Sequence, residues 1–125
     1  MPATLAAIQQ IAVNARDLGR ATAFYRDRLG LKHLFDAPPQ MSFFDCGGIR
    51  LLVGVAEKPE FDHASSVLYF RVDDIASAHR DLQARGVKFR DPPHLVARLR
   101  DREIWLAFFD DSEGNVHALI EERKS

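Results

Sequence analysis

WLAFFDDSEGNVHALI, residues 105–120, is the most informative stretch of the sequence. An aromatic apolar run is followed by DDSEGN, residue types that tolerate the tight and left-handed backbone of a hairpin connection. A second apolar run then ends at Ile120. The stretch therefore predicts a β-hairpin.

The same plan occurs earlier, in MSFFDCGGIRLLV, residues 41–53. Upstream of each hairpin, a short apolar run ends in an aspartate, at Asp17 and at Asp74, and a helical pattern follows. The numbering offset is 57 between the two aspartates, 65 between the two Phe-Phe-Asp runs, and 67 between Gly47–Val53 and Gly114–Ile120. An internal repeat of this length predicts two copies of one structural unit. Each copy reads as strand, helix, strand, strand, strand.

Local signals place the elements and the boundary between the copies. Asp17 supplies a side-chain oxygen that caps a helix running to Leu29, and Asp73 or Asp74 does the same in the second copy. Pro92-Pro93 begins a loop that extends to Arg102, because proline cannot donate to a sheet. We therefore predict a single domain over residues 1–125, with one module at about 5–56, a linker at about 57–63 and a second module at about 64–122.

Two motifs carry a family resemblance: DLGRATAFYRDRLGL, residues 17–31, and FFDDSEGN, residues 108–115. Both closely resemble the vicinal oxygen chelate superfamily, which contains glyoxalases, bleomycin-resistance proteins, fosfomycin-resistance enzymes, methylmalonyl-CoA epimerases and extradiol dioxygenases. The resemblance implies an α+β fold in which two tandem βαβββ modules form a curled mixed sheet around a cavity. It does not select a function, because one scaffold hosts many chemistries.

Composition and charge argue against several classes of partner. The chain is 46% hydrophobic and 28% charged, and its formal net charge of -1 creates no attractive field for nucleic acid or an anionic membrane. It has neither an apolar run long enough to span a bilayer nor the basic and apolar segments of a secretory signal. Cys46 is the only cysteine, so no internal disulfide can form and a cytoplasmic location is expected.

In metal-using members of that superfamily, the first and last strands of each module carry a metal ligand. The resemblance places the first-strand position on Gln10, and the offset of 57 takes it to Val67. It places the last-strand position on Ala118, and the offset of 67 takes it to Leu51. Three of these four side chains cannot donate an electron pair to a metal. We expect no metal and no other cofactor, and the alternative is a divalent ion held by substitute ligands, namely Gln10, His94 and Glu121.

Six side chains are candidates for contact with a small-molecule ligand. An amide both donates and accepts hydrogen bonds, aromatic rings offer a wall for a flat or apolar compound, and an arginine offers charge to an anion. The candidates are Gln10, Tyr69, Trp105, Phe43, Phe108 and Arg98.

His94 is the candidate for proton transfer. Histidine titrates near neutral pH, and the loop at 92–102 is expected to approach the rim of the cavity. The competing interpretation is that a histidine in a proline-bounded loop is merely exposed to solvent.

Three functions are compatible with these observations. The first is a metal-independent small-molecule-binding protein of the glyoxalase/bleomycin-resistance type. The second is a glyoxalase-like lyase or isomerase, with or without metal, that acts on a small carbonyl compound. The third is a structural module without catalysis. In each case a homodimer is expected, because a curled sheet in a lone 125-residue chain leaves edges exposed.

Overall fold

The computed structural model describes residues 3–124 and arranges them in two β-sheets and two helices. The first half contains β1 (Gln10–Asn14), α1 (Leu18–Ala23), β2 (Lys32–Ala37), β3 (Met41–Cys46) and β4 (Ile49–Gly54). The second half contains β5 (Leu68–Arg71), α2 (Ile75–Ala84), β6 (Lys88–Phe89), β7 (His94–Arg98), β8 (Arg102–Asp110) and β9 (Val116–Lys124). A π-helical turn, Phe24–Arg28, extends α1, and a 3-10 turn, Pro59–Phe61, lies between the halves.

The two sheets share one topology. The first has the strand order β1-β4-β3-β2, and the second has β5-β9-β8-β6, with β7 also paired to β8. The first and last strands of each module are parallel neighbours, while the hairpin strands are antiparallel. The predicted α+β fold of two βαβββ modules is therefore confirmed, with a separate mixed sheet for each module.

The loop predicted at 92–102 contains a strand. β7 begins at His94, directly after the two prolines, and pairs with β8 from Leu106 to Glu103. The pair β6 and β7 corresponds to β2 of the first module, because both flank the equivalent hairpin strand. The prolines interrupt this strand, since they cannot donate ladder hydrogen bonds, but they do not end it.

Both helices begin at a capping aspartate. The Asp17 carboxylate accepts a hydrogen bond from the Arg20 N–H at 3.0 Å, and the Asp74 carboxylate accepts one from the Ser77 N–H at 3.1 Å. Asp74, rather than Asp73, is therefore the cap of α2. These bonds satisfy N–H groups that have no partner within the helix.

The sheet register changes one of the repeat offsets. Val13 pairs with Val53 in the first module. Phe70, which the offset of 57 relates to Val13, pairs with Leu119. Val53 and Leu119 are therefore equivalent positions, so the offset for the last strand is 119 less 53, which is 66 rather than 67.

The position equivalent to Ala118 is consequently Leu52, and the prediction that it is Leu51 is wrong. Leu51 pairs with Ile11 and is 2% exposed, on the face of the sheet that packs into the core. A shift of one residue in a strand exchanges the two faces of a sheet. The sequence comparison matched Gly47 with Gly114 and so assumed that the two turns differ in length by two residues, whereas the pairing shows a difference of one.

One face of each sheet, the covered face, packs into a shared core. Tyr25 belongs to the π-helical turn after α1. The centroid of its ring lies 6.0 Å from the ring centroid of Phe44 on the first sheet and 6.1 Å from that of His117 on the second. Buried residues of both modules form one continuous cluster around these contacts. The opposite face of each sheet, the open face, therefore points away from the core.

The ends of the two helical segments meet at the module junction. Arg28 Nη1 donates to the Arg85 carbonyl at 3.1 Å, and Arg85 Nη1 donates to the Arg28 carbonyl at the same distance. These two arginines are themselves related by the offset of 57. The two modules are thus related by approximate twofold symmetry at this point.

A polar cluster, the junction clamp, joins the turn of the second hairpin to the first helix. Glu113 has a fully buried side chain and accepts hydrogen bonds from the backbone N–H groups of Arg16 and Asp17. The Arg20 guanidinium and the Ser112 hydroxyl also donate to it. Burial alone would raise the pKa of Glu113, but these donors together lower it to about 2.

The clamp continues into the core through Tyr25. Its hydroxyl lies 2.6 Å from Asp111 Oδ2 and 2.8 Å from His117 Nε2. Burial lowers the pKa of His117, so the ring is neutral. Because the Tyr25 proton goes to the Asp111 carboxylate, His117 Nε2 must donate to the Tyr25 oxygen.

Candidate functional site

The open face of the first sheet combines aromatic rings with a polar pair. Phe35 and Phe43 stack with centroids 4.5 Å apart, and Phe35 is 46% exposed. Gln10 and Arg50 are neighbours across β1 and β4, and Arg50 Nε donates to Gln10 Oε1 at 2.6 Å. Leu52, opposite Phe43, lies on the same face. This face offers area for stacking beside one guanidinium group.

The open face of the second sheet is also aromatic. Tyr69 and Phe108 flank Ala118, with which both are paired, and their rings are 6.2 Å apart. The His94 ring lies 6.5 Å from Phe108 at an interplanar angle of 30°. Tyr69 is 51% exposed, so this surface is accessible in a single chain.

His94 is oriented by its own segment. Its Nδ1 lies 3.1 Å from the Pro92 carbonyl and 3.3 Å from Asp91 Oδ2. The other Asp91 oxygen accepts a hydrogen bond from the Phe108 N–H at 3.2 Å. A proton on Nδ1 leaves Nε2 as an acceptor, which is the state that a general base requires.

Trp105 and Arg98 lie on the other face of the second sheet. Trp105 pairs with Glu121 and packs against the core cluster, while the Arg123 guanidinium covers its ring at 4.7 Å. Arg98 pairs with Glu103, two positions before Trp105, and their side chains form an ion pair at 3.3 Å. The prediction of one aromatic wall containing both Trp105 and Tyr69 is therefore wrong, because side chains of opposite parity leave opposite faces.

The side chains at the positions that the sequence resemblance assigns to metal ligands do not suit a metal ion. Leu52 and Ala118 are apolar residues of the two open faces, and Val67 directly precedes β5. Only Gln10 has a donor atom, and its carbonyl oxygen already accepts from Arg50. A guanidinium at this point would also repel a cation. These residues do not fit a divalent ion.

The chain does not bring the three substitute ligands together. Glu121 lies on the covered face, where it accepts from the Ile75 N–H at 2.8 Å and pairs with Arg123. Gln10 and His94 lie on the open faces of different sheets. Within residues 3–124 no group of three or more histidine, cysteine, aspartate or glutamate side chains is placed to hold a metal.

A cleft of about 660 Å³ lies between the modules, on the side away from the junction clamp. Its walls come from the end of the first helical segment, the turn after β3, the covered face of the second sheet and one side of α2. Cys46 and Gly47 lie at this turn, and burial beside Asp45 raises the pKa of the Cys46 thiol. The thiol is therefore protonated at neutral pH and is a weak nucleophile.

Three residues of the open faces were not anticipated from the sequence. Arg50 interrupts the apolar run of β4, and a charge within such a run is a signal of an accessible face. Phe35 and Asp91 gave no comparable signal, because their roles depend on neighbours from other strands or loops.

Among residues 3–124, no helix combines the length and apolar character needed to cross a membrane.

Comparison with known proteins identifies relatives of this chain. The profile of the Glyoxalase/Bleomycin resistance protein/Dioxygenase superfamily matches residues 7–119. Uncharacterized protein YraH of Bacillus subtilis is 28% identical, with 86% of this chain and 91% of that protein covered.

Two solved structures with the same fold have been given contrasting functions. Lactoylglutathione lyase from Agrobacterium tumefaciens superposes with a TM-score of 0.69 at 26% identity, and 94% of each chain is covered. TnmS3, an antibiotic binding protein from Streptomyces sp. CB03234, superposes with a TM-score of 0.77 at 24% identity, with 97% and 99% covered. At 24% identity, the similarity to TnmS3 shows a shared fold but does not show a shared function.

Proposed function

Because the chain belongs to the Glyoxalase/Bleomycin resistance protein/Dioxygenase superfamily, we propose that it is a small-molecule-binding protein that works without a metal. One observation carries the proposal: the open faces present exposed aromatic rings at Phe35 and Tyr69, next to strands that carry the apolar residues Leu52 and Ala118. Apolar walls with a few polar groups are typical of ligand sites. The expected location is the cytoplasm, where the single thiol stays reduced.

The complete binding site requires a second copy of the chain. The covered faces of both sheets converge on one core, so the open faces of a single chain point away from each other. In a homodimer, the open face of module one can oppose the open face of module two of the partner. Such an arrangement buries exposed apolar side chains and encloses two equivalent cavities. Sedimentation equilibrium at micromolar concentration should show a dimer, and a persistent monomer would contradict this part of the proposal.

Ligand binding is best followed with a reporter on the open face. Trp105, the only tryptophan, lies on the covered face and is a poor reporter. We would move it with the double substitution Trp105→Phe and Tyr69→Trp, and screen flat apolar compounds by fluorescence. Binding should shift the emission of the tryptophan at position 69. The matched control combines Trp105→Phe with Arg80→Trp, and its emission should not change, because Arg80 is exposed on α2. A dimer with no ligand in the screen would favour a structural module instead.

The metal-free character has its own test. Titration of chelated protein with zinc, nickel, manganese and iron should give no tight one-to-one binding and no rise in thermal midpoint. A metal that bound only the folded state would raise stability by mass action. Saturable micromolar binding that disappears in Gln10→Ala would contradict the proposal.

A second candidate function is proton abstraction next to a carbonyl group. It is favoured by the position of His94, whose Nδ1 hydrogen-bonds the Pro92 carbonyl and lies 3.3 Å from an Asp91 oxygen. An imidazole held through Nδ1 beside a carboxylate on an accessible face is a suitable arrangement for a base. Hydrogen–deuterium exchange of hydroxyacetone in D₂O, followed by NMR, should be accelerated by the protein and lost in His94→Gln. The matched control His63→Gln should exchange at the wild-type rate, because that histidine is exposed in the linker. Exchange no faster than in buffer would exclude this activity for this probe.

A further inference from the structure

The polar pair on the first open face includes Arg50, whose charge has no ion-pair partner among residues 3–124. Arg50 uses Nε to donate to Gln10, so its two Nη groups remain available. Within residues 3–124 no carboxylate lies within 4.0 Å of the Arg50 guanidinium. Asp45, its neighbour across β3 and β4, instead accepts from the Gly48 N–H.

We propose that Arg50, held by Gln10, is an anion anchor that binds the carboxylate of a small aromatic or flat apolar ligand. The inference rests on the proposed binding function and specifies its ligand class. A guanidinium presents paired N–H donors in a fixed planar fork, which matches the two oxygens of a carboxylate. Fixing the fork through Nε reduces the side-chain entropy that binding would otherwise cost.

The rings beside the anchor define the rest of the ligand. Arg50 Cζ lies 5.6 Å from the centroid of Phe43, which stacks on Phe35 at an interplanar angle of 25°. Phe35 is half-exposed, so a ligand ring can lie on this pair while its carboxylate reaches the guanidinium. The combination selects a compound with a flat apolar body and one negative group.

The anchor also accounts for the lack of fit to a metal. Gln10 stands at the first-strand position where metal-using relatives carry a ligand, and here its carbonyl oxygen receives a guanidinium N–H. Arg50 thus supplies a permanent positive charge beside Gln10. A negatively charged ligand group can be held at this place by hydrogen bonds and charge, without coordination chemistry.

The test uses two probes of equal shape and different charge, 2-naphthoate and 2-naphthamide, titrated into the protein. The readouts are the dissociation constants and the NMR signals of the Arg50 Nε–H and the Gln10 side-chain amide. We expect 2-naphthoate to bind at least about tenfold more tightly, as charge-assisted hydrogen bonds imply. Arg50→Gln should reduce the affinity for 2-naphthoate to that for the amide. The control Arg80→Gln, which removes an exposed charge elsewhere, should keep the preference.

Gln10→Glu gives a second route if Arg50→Gln does not fold. The new carboxylate would form an ion pair with Arg50. It should therefore lower the affinity for 2-naphthoate and leave the affinity for 2-naphthamide unchanged. Equal affinities in the wild type, or a preference that survives in Arg50→Gln, would overturn the anchor. The proposed function would still stand if either probe perturbed the reporter at position 69. Absence of binding by both probes, together with a blank reporter screen, would refute the anchor and the binding function alike.

Discussion

The two module junctions differ although the modules share one topology. On one side, the turn of the second hairpin places Glu113 against the start of α1, where a buried carboxylate holds two backbone N–H groups. On the other side, the shorter turn at Cys46 and Gly47 stands away from α2, and a cleft of about 660 Å³ remains. The two turns, which differ in length by one residue, thus make different contacts: one hydrogen-bonds the opposing helix start, and the other lines a cleft.

The core residues at the two junctions also differ, because they are polar at the clamp and apolar at the cleft. The helix offset of 57 relates Tyr25 to Leu82, and the last-strand offset of 66 relates Leu51 to His117. A hydrogen-bonded polar pair in one junction thus corresponds to two leucines in the other. The repeat preserves strand order and helix placement, while each junction has its own packing. We infer that the clamp fixes the relative position of the modules, and that the apolar side tolerates empty space.

The largest expected effect is at Glu113. Glu113→Ala leaves the N–H groups of Arg16 and Asp17 without their acceptor, which should lower the free energy of unfolding by about 3 kcal/mol. Glu122→Ala is the control, because its ion pair with Arg102 is half-exposed and screened by solvent, so its loss should lower stability far less. Urea unfolding at one fixed protein concentration measures both. Equal losses would show that the clamp is not distinct from a surface ion pair.

The same carboxylate should make stability depend on pH. The pKa of Glu113 is lowered to about 2 in the folded state, from 4.5 in the free side chain. Its contribution is therefore fully present above about pH 4.5 and is lost as the pH falls towards 2, by an amount on the order of 2 to 3 kcal/mol. Thermal unfolding between pH 2 and 6 should show a steeper acid loss in the wild type than in Glu113→Gln. Parallel curves would contradict the assignment.

The polar pair in the core should show strong coupling. Tyr25→Phe leaves the buried His117 Nε2 without its partner and should cost about 2 kcal/mol. In the double variant with His117→Leu, which copies the leucine of the other module, part of this loss should be recovered, because no orphaned polar atom remains. Strictly additive losses in this double-mutant cycle would show that the two residues do not act together.

The smallest expected effect is the difference in stability between substitutions of two alanines at equivalent positions of the two helices. Ala21 is fully buried under the first sheet, so Ala21→Leu should overpack the core and cost about 1 to 2 kcal/mol. Ala78 lines the cleft, so Ala78→Leu has space for its side chain and should change stability by less than about 0.5 kcal/mol. Urea unfolding of both variants measures the difference. Similar losses at the two sites would mean that the cleft closes in solution.

Much of the fold could be read from the sequence because its signals are local. The Phe-Phe-Asp runs followed by glycine-containing turns specified both hairpins, and the aspartates at 17 and 74 specified both helix starts. The loop assignment at 92–102 was wrong because Pro92-Pro93 looks like a strand end. The pairing of β7 with β8 depends on a neighbour that local sequence does not reveal.

The site was harder to predict, because it depends on which face each side chain leaves. Trp105 and Tyr69 had equal claims in the sequence, and only the sheet register separates them. An offset of 67 instead of 66 moved one family position from Leu52 to Leu51, from the open face to the core. Arg50 gained significance only when the parallel pairing of β1 and β4 placed it beside Gln10.

The sequence by itself determined the two βαβββ modules and their family, because these depend on residue types and short spacings. The tertiary structure alone decided that the covered faces share one core, that one junction is clamped while the other is open, and that Arg50 meets Gln10. These features arise from contacts between side chains that are distant in the chain. Such contacts are set by register and packing, which no local pattern encodes.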